Sequence, residues 1–491
     1  MQPLLICSVI LLPLLAGAAI PLFRFRSDRA RSIYVEAVVL INSVLTALLI
    51  LNADGKVHTL YTLMDRLDIA FRLDGPGCLF AGLVAFLWPL ATLYAFEYME
   101  YESRPDAFFA FYTMSMGITI AIAAAANLAT LYMFYECLTL VTLPLVSHKK
   151  DDASIKAAET YVTFSITGAA MAFVGLIFLL NYGTGAPFTL GGTLNPERIQ
   201  GSEDVLRWVF LLAFVGFGTK AAIFPMYSWL PKVSVAPTPV TALLHAVAVV
   251  NAGTFAVLRL IYYSYGTELL RGSLPQTLAL LLACFTLLLA AVKAVREPHL
   301  KRRLAYSTVS NLSYMLTGLC LMTPSGMTGG LAHLIMHSVI KICLFWCAGA
   351  ILVRTRCAYV QDLRGFHRQM PATTAAFAIG AVALSGIPPL CGFTSKWILL
   401  SAARETGGWL GIIAMTALII ASLMSAVYAL TPAFVMYFRP LNSGLRALEG
   451  RRLDPGWRMK FPLFVMVILM LVLGVAASPL LGWIRGIATP V

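Results

Sequence analysis

Fourteen runs of mostly apolar residues, each near the length a helix needs to cross a bilayer, follow one another along a chain of 491 residues. They lie at 3–23, 32–51, 77–96, 107–126, 129–146, 161–182, 206–224, 238–262, 274–292, 304–322, 328–352, 372–396, 409–437 and 460–484. A spanning helix takes about 20 such residues. In hydrocarbon the backbone must satisfy its own polar groups, so runs of this length fold as helices. The chain therefore reads as an all-α integral membrane protein of about 14 transmembrane helices. Only 12% of its residues are charged, where a soluble chain has about 25%. That excludes a soluble enzyme, a disordered protein and a disulfide-stapled one.

The formal net charge of +13 would suggest a nucleic-acid partner in a soluble protein. Here topology accounts for it. Of the 36 Lys and Arg, 24 fall in or at the edge of the odd-numbered connections between runs and 7 in or at the edge of the even-numbered ones. Lys and Arg mark cytoplasmic loops, so the odd connections are expected inside and both termini outside, in a prokaryotic-type cytoplasmic membrane with no nucleic acid involved. The first run has no charged segment before it and RFRSDRAR after it, which reads as a retained helix rather than a signal peptide. The longest polar stretches, 53–75 and 183–205, read as loops, so one membrane domain covers 1–491.

Nine cysteines are scattered through the runs without CxxC, iron–sulfur or haem-attachment spacing. They read as small apolar fillers. No cofactor, metal or electron carrier is expected in this chain.

An ionisable group near the bilayer centre costs about 2.5–3.5 kcal/mol and marks a functional site by default. Glu136, Lys220 and Lys396 each have apolar sequence on both sides. Gly216, Gly218 and Pro225 interrupt the run around Lys220, and Gly386, Pro388, Pro389 and Gly392 precede Lys396. Broken helices are tolerated at membrane depth only beside a cavity or other protein, which favours function over snorkelling at both lysines. The interruptions fall in the seventh and twelfth runs. Runs 4–8 (107–262) and 9–13 (274–437) then form two five-helix repeats, inverted because five is odd, between helices 1–3 (1–106) and helix 14 (460–484). Paired broken helices in such repeats point to a transport site at the midplane. In the eleventh run His333, His337 and Lys341 recur every four residues on one helical face. That spacing could serve a metal, but no carboxylate or thiolate set accompanies it, so a proton path is preferred. His245, buried in the eighth run, reads by itself as structural. Glu36, Glu159 and Arg259 lie near run ends, where snorkelling or local pairing suffices. Lys301, in EPHLKRRLAYS, is placed to receive protons from the cytoplasm.

Four segments, GFGTKAAIFPMYSWLPKVSVAPTPVTALLHA, HLKRRLAYSTVSN, HLIMHSVIKICLFWCAG and LSGIPPLCGFTSK, resemble the antiporter-like subunits of respiratory complex I, of energy-converting membrane hydrogenases and of Mrp-type cation/proton antiporters. The resemblance covers roughly residues 70–440, in the family's order. It implies fourteen helices with an inverted pair of five-helix bundles, and a polar axis of Glu136, Lys220, His245, His337, Lys341 and Lys396, to which His333 is added from its spacing. Three positions depart from the commonest pattern: Tyr227 stands where many members have histidine, Asn251 where many have lysine, and His299 where an acidic residue is usual.

The expected function is proton translocation, or cation/proton exchange, within a larger membrane complex. An ion pair at about 4 Å is worth about 4 kcal/mol at an effective dielectric of 20. A lysine paired with Glu136 would hold its proton, and release it toward His245, Lys341 and Lys396 when the pair opens. Partners are expected to be other membrane subunits, further antiporter-like subunits among them, with peripheral iron–sulfur, flavin or hydrogenase subunits in a redox-driven complex. The alternatives are a subunit of an Mrp-type Na⁺/H⁺ antiporter, or a structural or coupling subunit, for example of an inorganic-carbon uptake complex.

Overall fold

The polar breaks that end one apolar run supply the side chain that starts the next helix. A helix N-terminus leaves unpaired N–H groups that a Ser, Thr, Asp or Asn can accept. Ser27, Asp74, Asn127, Asp151, Ser273 and Thr323 all do so. The computed structural model describes residues 2–23, 25–64, 67–441 and 450–489.

Helices α1 (Gln2–Ala19) and α2 (Asp28–Leu51) lead into a hairpin of β1 (His58–Met64) and β2 (Leu67–Phe71). There follow α3 (Gly75–Tyr98), α4 (Pro105–Ala124), α5 (Leu128–Val146), α6 (Asp152–Tyr182), the single turn α7 (Pro196–Ile199) and α8 (Glu203–Gly218). Next come a second single turn, α9 (Trp229–Lys232), then α10 (Thr238–Ala246) and α11 (Val249–Leu258), which runs on as a π-helix over Arg259–Tyr265, and the short α12 (Thr267–Leu270). The rest is α13 (Leu274–Arg296), α14 (Leu300–Cys320), α15 (Pro324–Thr355), α16 (Pro371–Ser385), α17 (Cys391–Thr406), α18 (Gly408–Phe438), α19 (Trp457–Val475) and α20 (Ser478–Ala488). Among the described residues, eleven helical segments are long and apolar enough to cross a membrane.

The exposure pattern is that of a protein solvated by lipid. Leu, Ile, Val and Phe face outward from α1, α2, α18 and α19, whereas α15 is buried on nearly all sides from Gly326 to Ile351. Small residues bring inner helices together, as is usual without a hydrophobic force between helices: a Cβ on Gly216 of α8 would lie 2.4 Å from the backbone nitrogen of Ala172 in α6.

Contacts between connections sort into two ends. At one end Arg31 pairs with Asp106 at 2.8 Å, Arg104 donates to the His148 carbonyl at 3.0 Å, and Arg354 donates to Tyr101 at 2.7 Å. At the other, Gln2 bonds Asn52, Asn127 bonds the Asp68 carbonyl at 2.9 Å, and a Cβ on Gly75 would meet Ile487 of α20. The first set belongs to the Lys- and Arg-rich connections.

Two expectations are corrected. The stretch 53–75 is not simply a loop, so the protein is not wholly α: β1 pairs antiparallel with β2, and Phe71 continues into a bridge with Ala125. Thr, Tyr and Leu alternate there over too few residues to stand out, yet pairing satisfies backbone groups at the membrane end. The eighth run is not one continuous helix. It breaks at Val247–Ala248, where the N–H groups of both residues bond the Leu243 carbonyl.

Candidate functional site

Gly216 and Gly218 are poor helix formers and Pro225 lacks an N–H, so α8 stops at Gly218 and the chain turns through residues 219–228. The turn is closed by bonds from Ala222 N to Thr219 O (3.0 Å) and Ile223 N to Gly218 O (3.1 Å), and Trp229 Nε1 ties it to Thr219 O at 2.9 Å. Lys220 leaves this turn and is almost completely buried. Its Nζ lies 3.3 Å from Glu136 Oε1, donates to the Tyr135 carbonyl, and sits 3.4 Å from the centre of the Tyr135 ring. Tyr135 is fixed by its own hydroxyl, which donates to Phe217 O at 2.6 Å. The Glu136 side chain keeps 27% exposure, so one member of the pair is partly open and the other sealed. The turn fits because residue 253 is glycine: a Cβ there would lie 2.4 Å from Ala221 N and 2.8 Å from Lys220 C.

The second group is centred on α15. His333, His337 and Lys341 are buried on one face, and the rings of the two histidines stack at 6.0 Å. His333 Nδ1 is 2.9 Å from Ser395 Oγ and Nε2 is 3.3 Å from Asn311 Oδ1. Lys341 Nζ donates to Leu304 O at 3.0 Å and to the Ser307 hydroxyl. His245 of α10 packs its ring 4.9 Å from Phe345. Among the described residues, all four ring nitrogens of His245 and His337 are buried without a hydrogen-bond partner. A buried polar group without a partner costs free energy, so these imidazoles do not read as satisfied structural residues. His337 lies within electrostatic reach of Lys341, His333 and His245.

Lys396 ends the series. Gly386, in the left-handed region at φ 82°, closes α16 and leaves room for the lysine stem. Lys396 Nζ donates to Leu384 O (2.8 Å) and Ser425 Oγ (2.8 Å), with Ser422 Oγ at 3.4 Å. It lies in electrostatic reach of both Lys341 and His333. The sequence candidates thus fall into two groups, Glu136–Lys220 and His245–His333–His337–Lys341–Lys396. Among the described residues no side-chain hydrogen bond joins Lys220 to His245. The α11 helix lies between them, with Asn251 Nδ2 bonding Ala246 O at 2.9 Å and Ser338 Oγ at 2.8 Å.

Lys301 is buried, its Nζ donating to Ala236 O at 2.7 Å. Tyr227 accepts from Lys293 Nζ, whose charge also lies 4.7 Å from the Tyr227 ring. Lys293 was legible only as a topology charge. Among the described residues, Glu36 Oε2 is buried without a hydrogen-bond partner. Arg259 does not snorkel. It is fully buried, bonds Asp74 through two nitrogens at 2.6 and 2.5 Å, and lies 4.7–4.9 Å from the rings of Phe188, Phe255 and Tyr263. Burial opposes the charge of Asp74, but Arg259, with the Gly77 N–H, outweighs it and holds the carboxyl below its ordinary value. This pair joins residues 185 apart in sequence.

Residues 125–423 match the family described as NADH:quinone oxidoreductase/Mrp antiporter, TM. Over 97% of its length the chain is 30% identical to a component of the probable K(+)/H(+) antiporter of Rhizobium meliloti, of which it spans 47%. It is 31% identical to NADH-quinone oxidoreductase subunit N of Desulforudis audaxviator, over 80% of the chain and 78% of the relative. Several further relatives are spanned over 52–65% of their length. Among solved structures, the membrane-bound sulfane sulfur reductase, an archaeal respiratory membrane complex, contains a chain that superposes with a TM-score of 0.85 at 21% identity, covering 99% of this chain and 97% of that one.

Proposed function

The chain belongs to the NADH:quinone oxidoreductase/Mrp antiporter membrane family, and from that membership and the buried charges we propose that it is a proton-translocating subunit of a multisubunit membrane complex. The observation that carries the reading is the Lys220–Glu136 pair, at 3.3 Å on the broken end of α8, with one partner sealed and the other partly open. While the pair is closed the carboxylate favours the charged lysine. When Glu136 withdraws, Lys220 is left charged in a dry site and gives up its proton across α11 toward His245. The unpartnered imidazoles of His245 and His337 accept and pass it, through Lys341, to Lys396. Because no direct bond spans the α11 gap, that transfer needs water or a shift of the α10–α11 break.

The same reading takes fourteen crossings. Three crossings lie outside the eleven long apolar helices: α8 with its turn, α14, and the α16–α17 pair. The breaks beside Lys220 and Lys396 leave α8, α16 and α17 too short to cross alone, and α14, which carries Lys301, is long enough but polar. Helices α4–α11 and α13–α18 would be the two inverted repeats (107–262 and 274–437), within a single domain. With the Lys- and Arg-rich end cytoplasmic, both termini face outward. The exposure of Glu136 and the side opening beside Lys396 suit neighbouring membrane subunits as partners.

The test is proton uptake by inverted membrane vesicles holding the assembled complex, read with a pH-sensitive dye. Lys220→Met and Glu136→Gln abolish uptake while the chain stays in the complex. Wild-type uptake by either variant would sink the reading. The antiporter relative favours a second reading, cation/proton exchange, for which uptake in the same vesicles depends on added K⁺ or Na⁺.

A further inference from the structure

A proton that reaches Lys396 still has to pass from buried serines to water. Two cavities lie along that step. One, of about 240 Å³, is lined by Lys396, Tyr314, Ser422 and Trp397 and opens between α17 and α18. It has room for several waters. The other, of about 450 Å³, is lined by Ser325, Ser401, Glu405, Arg485 and, again, Trp397. Its wall is made by the start of α15, the end of α17 and the terminal helix α20, at the end of the molecule that holds Gln2. Trp397 lines both cavities.

The sequence places these groups in line. Trp397, Ser401 and Glu405 recur every four residues along α17 and so share one face. Glu405 Oε2 accepts from Ser325 Oγ at 2.5 Å. Arg485 lines the same cavity from α20, and among the described residues no ion pair ties it to Glu405. The carboxylate is thus oriented by a hydroxyl and kept company by a cation without being locked to it.

We propose that Trp397 is a gate between Lys396 and an outward proton mouth built from Ser401, Glu405 and Arg485, in which Glu405 exchanges protons with bulk water. This rests on the reading of Lys396 as a proton carrier. In the step, an N–H bond of the Lys396 ammonium breaks and its proton passes along water beside Trp397. An O–H bond then forms on Glu405, and the proton leaves from there to the outer solution. Arg485 favours the return of Glu405 to its charged form. The indole limits the water column to the moments when it swings aside.

The experiment uses vesicles of the native membrane assembly under an imposed diffusion potential, with internal pH as the readout. Lys396→Met tests the underlying reading, and unchanged proton flow in that variant would overturn it whatever happens at Trp397. Given a block there, Trp397→Ala raises passive proton flow several-fold and Trp397→Phe raises it less. Glu405→Gln slows flow at least about tenfold, as loss of a positioned proton-transfer group does, and Glu405→Asp restores part of it with a shifted pH profile. Ser401→Cys, a change too small to unfold α17, is blocked by a membrane-impermeant maleimide added from the outer face. The gate and mouth are wrong if Lys396→Met blocks flow while Trp397→Ala and Glu405→Gln conduct like wild type, or if modified Ser401→Cys conducts normally. Trp397 is then an interfacial anchor, and Glu405 a helix-end contact to Ser325.

Discussion

Two buried cations show how one kind of residue serves two ends. Arg259 is held by two hydrogen bonds to Asp74 and three aromatic rings, with both partners largely covered. Lys220 has a single contact of 3.3 Å to a carboxylate that keeps 27% exposure. The first is built to stay closed and the second can part. Removing one partner of a buried pair strands the other charge, at a cost of about 3–5 kcal/mol. Asp74→Asn therefore lowers the unfolding midpoint of the purified protein in detergent, because Arg259 cannot shed its proton, whereas Glu136→Gln lowers it less, because Lys220 can, and stops proton uptake; equal midpoints for the two variants would refute the distinction. Glu136, Lys220 and Lys396 were legible because a charge amid apolar neighbours stands out. Asp74 was not, because it sits in a polar stretch and looks solvated, and Arg259 looked like a helix-end residue. Lys293 hid among topology charges; only its pairing with Tyr227 sets it apart.

At the scale of elements, the breaks in α8 and before α17 were visible as clusters of Gly and Pro. The α10–α11 break had no such mark: HAVAVVNAG contains neither Gly nor Pro at Val247–Ala248, and the break shows only in where the backbone bonds go. The neighbouring Gly253 was unremarkable in sequence, and its role lies in the turn of another element passing against it. Gly253→Ala puts a carbon within 2.4 Å of the Ala221 nitrogen, so either the turn or α11 must move. Proton uptake falls several-fold in that variant while Gly482→Ala, which meets nothing within 4 Å, behaves as wild type. Equal rates for the two substitutions would remove Gly253 from the argument.

For the whole molecule, a count of Lys and Arg along the sequence and the pattern of loop contacts in three dimensions divide the connections the same way. Cysteines placed at residues 55 and 201 are expected to react with an impermeant thiol reagent on intact cells, and cysteines at 150 and 302 only after the membrane is opened. The reverse pattern would invert the topology. The Asp74–Arg259 pair also bears on how such a molecule is made. Asp74 leaves the ribosome 185 residues ahead of Arg259, which at typical synthesis rates is about 10–40 s. Through that interval α3 waits in the membrane with its carboxylate held only by Arg72 and the Gly77 N–H. Chains halted short of Arg259 should then be cleared by proteases faster than chains halted just past Tyr265, as pulse-labelling would show. The clamp thus sets a checkpoint in time, closing only once the first eight spans have been delivered.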